Sequence, residues 1–119
     1  MIELVQSLRR VCNHLDDVRG IALVGTDGLI VEEIKQDPLL DLAALAAEVS
    51  VLLKALEATA EAGNLGVLQD VQLEAAEGIV IIGGVGESYF VLLVLRPGGN
   101  AGRGRFYVQM EAGRLAGEV

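Results

Sequence analysis

Cysteine and histidine each occur once in this chain, and those two shortages exclude much chemistry at the outset. A single cysteine, Cys12, rules out an internal disulfide; it falls in an apolar stripe at helical spacing, where a buried thiol behaves as a small hydrophobe. The lone histidine, His14, has Asn13 and Asp16 for neighbours and reads as a surface side chain. With no Cys or His cluster at ligand spacing, neither a metal nor any other cofactor is expected. Basic residues are scarce as well, nine Lys and Arg against 17 Asp and Glu, for a net charge of −8. Four of the nine (Arg96, Arg103, Arg105, Arg114) lie beyond residue 95, so residues 1–95 carry 5 basic against 15 acidic groups, a balance of −10 that opposes a phosphate backbone. Nucleic acid is not an expected partner.

Catalytic patterns are missing too. Asp16-Asp17 and Glu32-Glu33 are adjacent pairs, which point apart on a helix or to opposite faces of a strand and cannot share a substrate as paired carboxylates do. The glycines of GGVGES lack a following Lys-Ser or Lys-Thr and join strand to strand rather than strand to helix, so a hairpin turn is expected there, not a phosphate loop. No enzyme activity is expected. The opening MIELVQSLRR lacks the charge order of a secretory signal, which points to the cytoplasm. Residues 78–95, GIVIIGGVGESYFVLLVL, are long enough and apolar enough to suggest a membrane span, but Gly83, Gly84, Gly86 and Glu87 sit at the centre. Two buried strands around a turn are expected instead, and no membrane insertion.

What the chain does have is an apolar rod. Hydrophobic residues make up 52% and charged residues 22%, a globular balance, and 119 residues suffice for one domain and one core. In Leu39–Ala62, LLDLAALAAEVSVLLKALEATAEA, 17 of 24 residues are apolar and Ala and Leu, the strong helix formers, dominate. On a helix Asp41 and Glu48 fall on one side while Ser50, Lys54, Glu57 and Glu61 gather near the opposite one, so no single polar face runs the whole length. Each Leu or Val left wet forfeits about 1.5–3 kcal/mol. The rod is therefore expected to pack on a sheet within its subunit and on a twin across a two-fold axis.

Around it the chain reads as follows. Ile2, Val5, Leu8, Val11 with Cys12, and Leu15 recur at steps of three and four, predicting an amphipathic helix over 2–17. GIALVGTDGLIVEEI places strands near 21–25 and 29–34 about Asp27-Gly28, a dipeptide that tolerates the positive φ of a tight turn. Pro38 suits the first turn of the long helix, and Gly63-Asn64 closes it. In 67–75, Val67, Val71, Leu73 and Ala75 alternate with Asp70, Gln72 and Glu74, as in a strand wet on one side. Strands Ile79–Ile82 and Tyr89–Leu95 complete an antiparallel meander, which Arg96-Pro97-Gly98-Gly99 stops. A final helix spans about 101–116, although Gly102, Gly104 and Gly113 each cost up to about 1 kcal/mol there.

This order of helix, hairpin, long helix, three-stranded meander and helix, with GIALVGTDGLIVEEI after the first helix and NAGRGR before the last, resembles the Roadblock family of dynein light chains and MglB-like partners of small Ras-like GTPases. Asn100, Gly102 and Arg105 match the family's entry to its last helix; Ala101 stands where leucine is usual, and Phe106 and Tyr107 are less typical. In that position Asn100 is expected to cap the helix and Arg105 to hold a nearby carbonyl or carboxylate.

The resemblance implies an α+β fold: a five-stranded antiparallel sheet with the long helix on one face and the N- and C-terminal helices on the other. It implies a homodimer in which strand Val67–Glu74 pairs with its two-fold mate and the long helices lie side by side. Mapped here, the dimer contact comprises Leu45, Val49, Leu52, Leu56, Val67, Gln69, Val71 and Leu73, and Glu48, Lys54, Glu57 and Glu61 offer polar contacts to a partner. The function implied is a non-catalytic adaptor that binds a small Ras-like GTPase and modulates or scaffolds its nucleotide cycle. The alternative is an interaction module of a motor or signalling complex with no nucleotide preference; sensing of a small molecule between sheet and helices is the third reading, opposed by the scarcity of polar core groups.

Overall fold

The computed structural model describes residues 2–118. Helix α1 (Ile2–Asn13) leads into β1 (Val18–Gly25) and β2 (Ile30–Lys35), then the long α2 (Leu42–Ala62), the meander β3 (Asp70–Ala75), β4 (Gly78–Val85), β5 (Tyr89–Leu95), and α3 (Ala101–Ala116). The strands form one antiparallel sheet in the order β2-β1-β5-β4-β3, so the hairpin and the meander join through β1 and β5. The architecture is the α+β one expected, with α1 and α3 on one face and α2 on the other.

Alternation along the strands separates the two cores. Leu23, Ile81, Leu93 and Leu95 face α1 and α3, meeting Leu4, Leu8, Val11, Val108 and Leu115. Ala22, Val24, Ile82, Leu92 and Val94 face α2, meeting Leu42, Ala46 and Val49. A register shift between Val18 and Gly20 puts both Val18 and Ile21 into the α1/α3 core, which strict alternation would forbid.

Several boundaries differ from expectation. Helix α1 stops at Asn13, where the His14 and Leu15 amides turn back to the carbonyls of Val11 and Cys12. Residues 39–41 are not helical: the Asp37 side chain accepts the Leu39 N–H at 2.9 Å and its carbonyl accepts that of Leu40, making a turn that holds Pro38 outside the helix. The true cap of α2 is Asp41, whose carboxylate accepts the Ala44 N–H at 3.0 Å. At the other end Gly63 and Asn64, the latter at φ 54°, close it. Gly83 and Gly84 belong to β4 rather than to the turn, which is made at Gly86 with φ 60°. Strand β3 begins at Asp70, so Val67 and Gln69 precede it.

Candidate protein-interaction surface

Helix α2 is the element whose covering is incomplete. Leu42, Ala46, Val49, Ser50 and Ala60 are buried, and Leu45, Leu52, Leu53 and Leu56 are half-buried. The opposite side is open, and it is not polar: Ala44, Ala47, Val51, Ala55, Ala58 and Ala62 follow one another at steps of three and four, all exposed, Val51 at 65%. Such a line of small side chains lets another backbone approach closely. Glu48, Lys54, Glu57 and Glu61 flank it, all exposed. Composition alone pointed to a shortage of polar cover; that the line from Ala44 to Ala62 is the open one follows from the sheet taking the side of Leu42, Ala46 and Val49.

Val49, expected at the dimer contact, is instead buried inside the subunit against the α2 side of the sheet, and Leu45 packs partly against the same core. The Val49 side chain is already taken, whereas Leu45 keeps part of its surface. Leu52 and Leu56 keep part of their surface.

The sheet edge is the second unfinished feature. No strand among the described residues pairs the outer side of β3. Val71 packs partly on the α2-side core, whereas Gln72, Leu73 and Glu74 are exposed. Ahead of the strand Val67 is 88% exposed, and Gln69 is exposed while its carbonyl accepts the Gly84 N–H at 3.4 Å. Between α2 and the start of β3 lies an open cleft of about 810 Å³, floored by Leu53, Val71, Ile82 and Phe90 and rimmed by Glu57, Glu61 and Glu87. Thus Glu57 and Glu61 meet Val71 across one concavity, while Glu48 lies away from it.

The remaining expected residues shape the scaffold. Gly28, at φ 89°, turns β1 into β2 with the Leu29 N–H donating to the Asp27 carboxylate at 3.1 Å, and a Cβ on Gly28 would stand 3.0 Å from Ser50 Oγ. The hairpin turn thus presses on α2. Asn100 caps α3 by accepting the Arg103 N–H at 3.0 Å, and its own N–H donates to Asp17 at 2.8 Å. Arg105 Nε donates to Asp70 Oδ2 at 2.7 Å, fastening α3 to the first residue of β3, with Gln109 on the same oxygen. Gly102 is exposed in the first turn of α3.

Sequence reading missed the polar tie between the terminal helices. Glu111 is buried and accepts from Ser7 Oγ at 2.7 Å and from Arg10 at 3.0 Å, with Arg114 3.4 Å away. Burial pushes its carboxyl up, but the hydrogen bonds from Arg10 and Ser7 and the charges of Arg10 and Arg114 outweigh it and hold the group below its ordinary range. Cys12 is raised by burial, which keeps it a thiol. Among the described residues no three His, Cys, Asp or Glu side chains are placed to hold a metal ion, and no helix is long and apolar enough to cross a membrane.

Residues 4–96 match the family model described as the Roadblock/LC7 domain. No curated protein matches in sequence. Among solved structures, Myxococcus xanthus MglB superposes with a TM-score of 0.88 at 14% identity over 98% of this chain and 87% of that one. The gliding protein MglB from Thermus thermophilus gives 0.86 at 17% identity, over 99% and 91%. MglC from Myxococcus xanthus gives 0.70 at 26% identity, over 98% and 99%. One further MglB structure, at 18% identity over 97% of this chain and 86% of that one with a TM-score of 0.87, is described as having a tetrameric arrangement. With the family model spanning most of the sequence, from α1 to the end of β5, this chain belongs to the Roadblock/LC7 family.

Proposed function

We propose that this chain is the subunit of a non-catalytic homodimeric adaptor that binds a small Ras-like GTPase and biases its nucleotide state by holding the switch loops. The observation that carries the reading is the unfinished α2 side of the sheet: an exposed alanine line, an unpaired β3 edge and an acid-rimmed cleft, side by side. An exposed strand edge invites uncontrolled pairing, and a two-fold mate docked along β3 removes that hazard while covering Val67, Val71 and Leu73. Leu52 and Leu56 add apolar area from α2. The surface left by the paired helices, with Glu48, Lys54, Glu57 and Glu61 around small apolar residues, then receives the GTPase. The MglB-like structural neighbours agree with this assignment in fold.

Regulation requires different affinities for the GTP and GDP forms. Pull-down of the GTPase in both nucleotide states, followed by single-turnover hydrolysis, tests this directly. Preference for one form supports regulation; equal binding with an unchanged rate reduces the protein to a scaffold. For the dimer, Leu52→Asp and Val71→Pro are each expected to give monomer or aggregate by light scattering, and a soluble, folded dimer from both variants would reject the interface.

A further inference from the structure

We propose that the cleft between α2 and the start of β3 receives arginine side chains from a short extended segment of another protein. Its floor is apolar, made by Leu53, Val71, Ile82 and Phe90, and three carboxylates, Glu57, Glu61 and Glu87, stand on its rim. All three are exposed, and none makes an ion pair or a side-chain hydrogen bond among the described residues. The fourth acid of the lining, Asp70, is already held by Arg105 and Gln109. Among the described residues no lysine, arginine or histidine lines the cleft. The rim therefore carries three carboxylates with no cation in the cleft to offset them, on a chain whose net charge is −8.

Glycine opens the cleft to another main chain. Side chains of β4 alternate between the two faces, so Ile82 and Gly84 share the α2 side, whereas a Cβ at Gly83 would strike Val108 Cγ1 on the α3 side at 2.7 Å. The α2-facing row of β4 therefore lacks a side chain at Gly84. That residue is exposed between buried Gly83 and Val85, and an added Cβ would meet only the Gln69 carbonyl at 3.9 Å. At Gly66 and Gly86, which also line the cleft, it would meet nothing within 4 Å. Bare backbone of this kind lets a second chain come close.

The lining selects the occupant. An apolar floor beneath anionic groups suits a side chain with an aliphatic stem and a cationic head, which lysine and arginine both have. Arginine fits better, because its planar guanidinium pairs both oxygens of a carboxylate at once and is more weakly hydrated than an ammonium. Glu57 and Glu61 are four residues apart on α2, which sets their Cβ atoms about 5–6 Å apart. An extended segment places residues i and i+2 on one side about 6.6 Å apart, so Arg-x-Arg matches the pair. Glu87 adds a third carboxylate from the turn between β4 and β5. The inference concerns the same α2 side as the GTPase reading but rests on the cleft alone.

The test uses the full chain, labelled with ¹⁵N, and a fluorescein-labelled octapeptide with a central Arg-Val-Arg, too short to hold a helix in water. Binding is followed by anisotropy and mapped by amide shifts. Saturable binding is expected, with shifts at residues 57–71 and 82–90. Replacing both arginines by citrulline, which keeps the shape and removes the charge, should abolish it, and replacing them by lysine should weaken it about threefold or more. Glu57→Gln combined with Glu61→Gln should weaken it about tenfold, as loss of two exposed ion pairs does. Gly84→Val leaves every charge in place and fills the floor, and it should block binding as well. Since all three positions are exposed, an unchanged circular dichroism spectrum and oligomeric state will show that the variants are intact. No binding, equal binding of the citrulline peptide, unchanged affinity in either variant, shifts mapping to α3, or displacement by an equal concentration of spermidine would each overturn the proposal. So would a change of oligomeric state as the peptide saturates, which would make a second copy of the chain the occupant. No GTPase enters this assay, so failure here and failure of the nucleotide-state pull-down are separate results.

Discussion

The two faces of the sheet are finished to different degrees. On one, α1 and α3 lie together, closing a core that runs from Leu4 to Leu115 and tied to each other by Glu111, Ser7 and Arg10. On the other, α2 alone covers β1 and the centre, leaving a cleft over the β3 side. The most apolar helix of the molecule thus has the less complete docking, and the glycine-rich α3 the more complete. Close approach explains the inversion. Gly104 lets α3 settle onto Ile81, and in β4 a Cβ at Gly83 would stand 2.7 Å from Val108 Cγ1, so each element yields space to the other. The glycines that weaken α3 as an isolated helix are what seat it on the sheet.

The largest expected effect comes from neighbours on β5 that point to opposite faces. Leu92 and Leu93 are equally buried, Leu93 under two helices and Leu92 on the side of α2. Truncation to alanine costs more where surrounding structure cannot relax. Leu93→Ala should therefore lose about 4 kcal/mol and Leu92→Ala about 2–3 kcal/mol in urea unfolding. Equal losses would break the contrast between the faces, and a larger loss at Leu92 would reverse it.

A middle-sized effect belongs to the buried carboxylate of the closed face. The Glu111 carboxyl is held below its ordinary value of 4.5, so the stability it contributes is complete above that value and is lost as pH falls through the lower folded-state value. Asp37 acts in the same direction, because the Leu39 N–H and Arg19 lower it too. Glu111→Gln should cost about 1–3 kcal/mol at pH 7, the range for leaving buried groups badly partnered. It should also make the acid limb of the stability curve shallower, with the part due to Asp37 remaining. Urea midpoints from pH 7 down to pH 3 measure both, and an acid limb parallel to wild type would show that Glu111 is not the group titrating.

How much of this was legible in the sequence depended on distance along the chain. Period-two runs such as Val71, Leu73, Ala75 and the Asn100 cap before Ala101–Ala116 are local patterns, and element order followed from them. The start of α2 did not, because Leu39 and Leu40 are good helix formers and only the carboxylates of Asp37 and Asp41 decide where the helix begins. Ser7 and Glu111 are 104 residues apart, and nothing near either announces the other. For the candidate surface, the charged positions Glu48, Lys54, Glu57 and Glu61 were readable as exposed, but the burial of Val49 required knowing which side of α2 the sheet takes. The proposed two-fold pairing rests on family resemblance and on the outer edge of β3, which no strand among the described residues pairs.

The smallest effect separates the inner and outer sides of α3 by sign. In a helix, replacing glycine by alanine gains up to about 1 kcal/mol from propensity. At Gly113, where an added Cβ meets nothing, that gain should appear in full as a rise in the unfolding midpoint. At Gly104 the same Cβ falls 2.8 Å from Ile81 Cδ1, 3.2 Å from Leu95 Cδ1 and 3.3 Å from Leu93 Cδ2, and three core side chains must shift together. Overpacking of that kind costs about 1–3 kcal/mol, enough to outweigh the propensity gain, so Gly104→Ala should lower the midpoint. Should both variants be stabilised, α3 is not pressed on the sheet by its glycines, and the explanation given for the better-closed face fails with it.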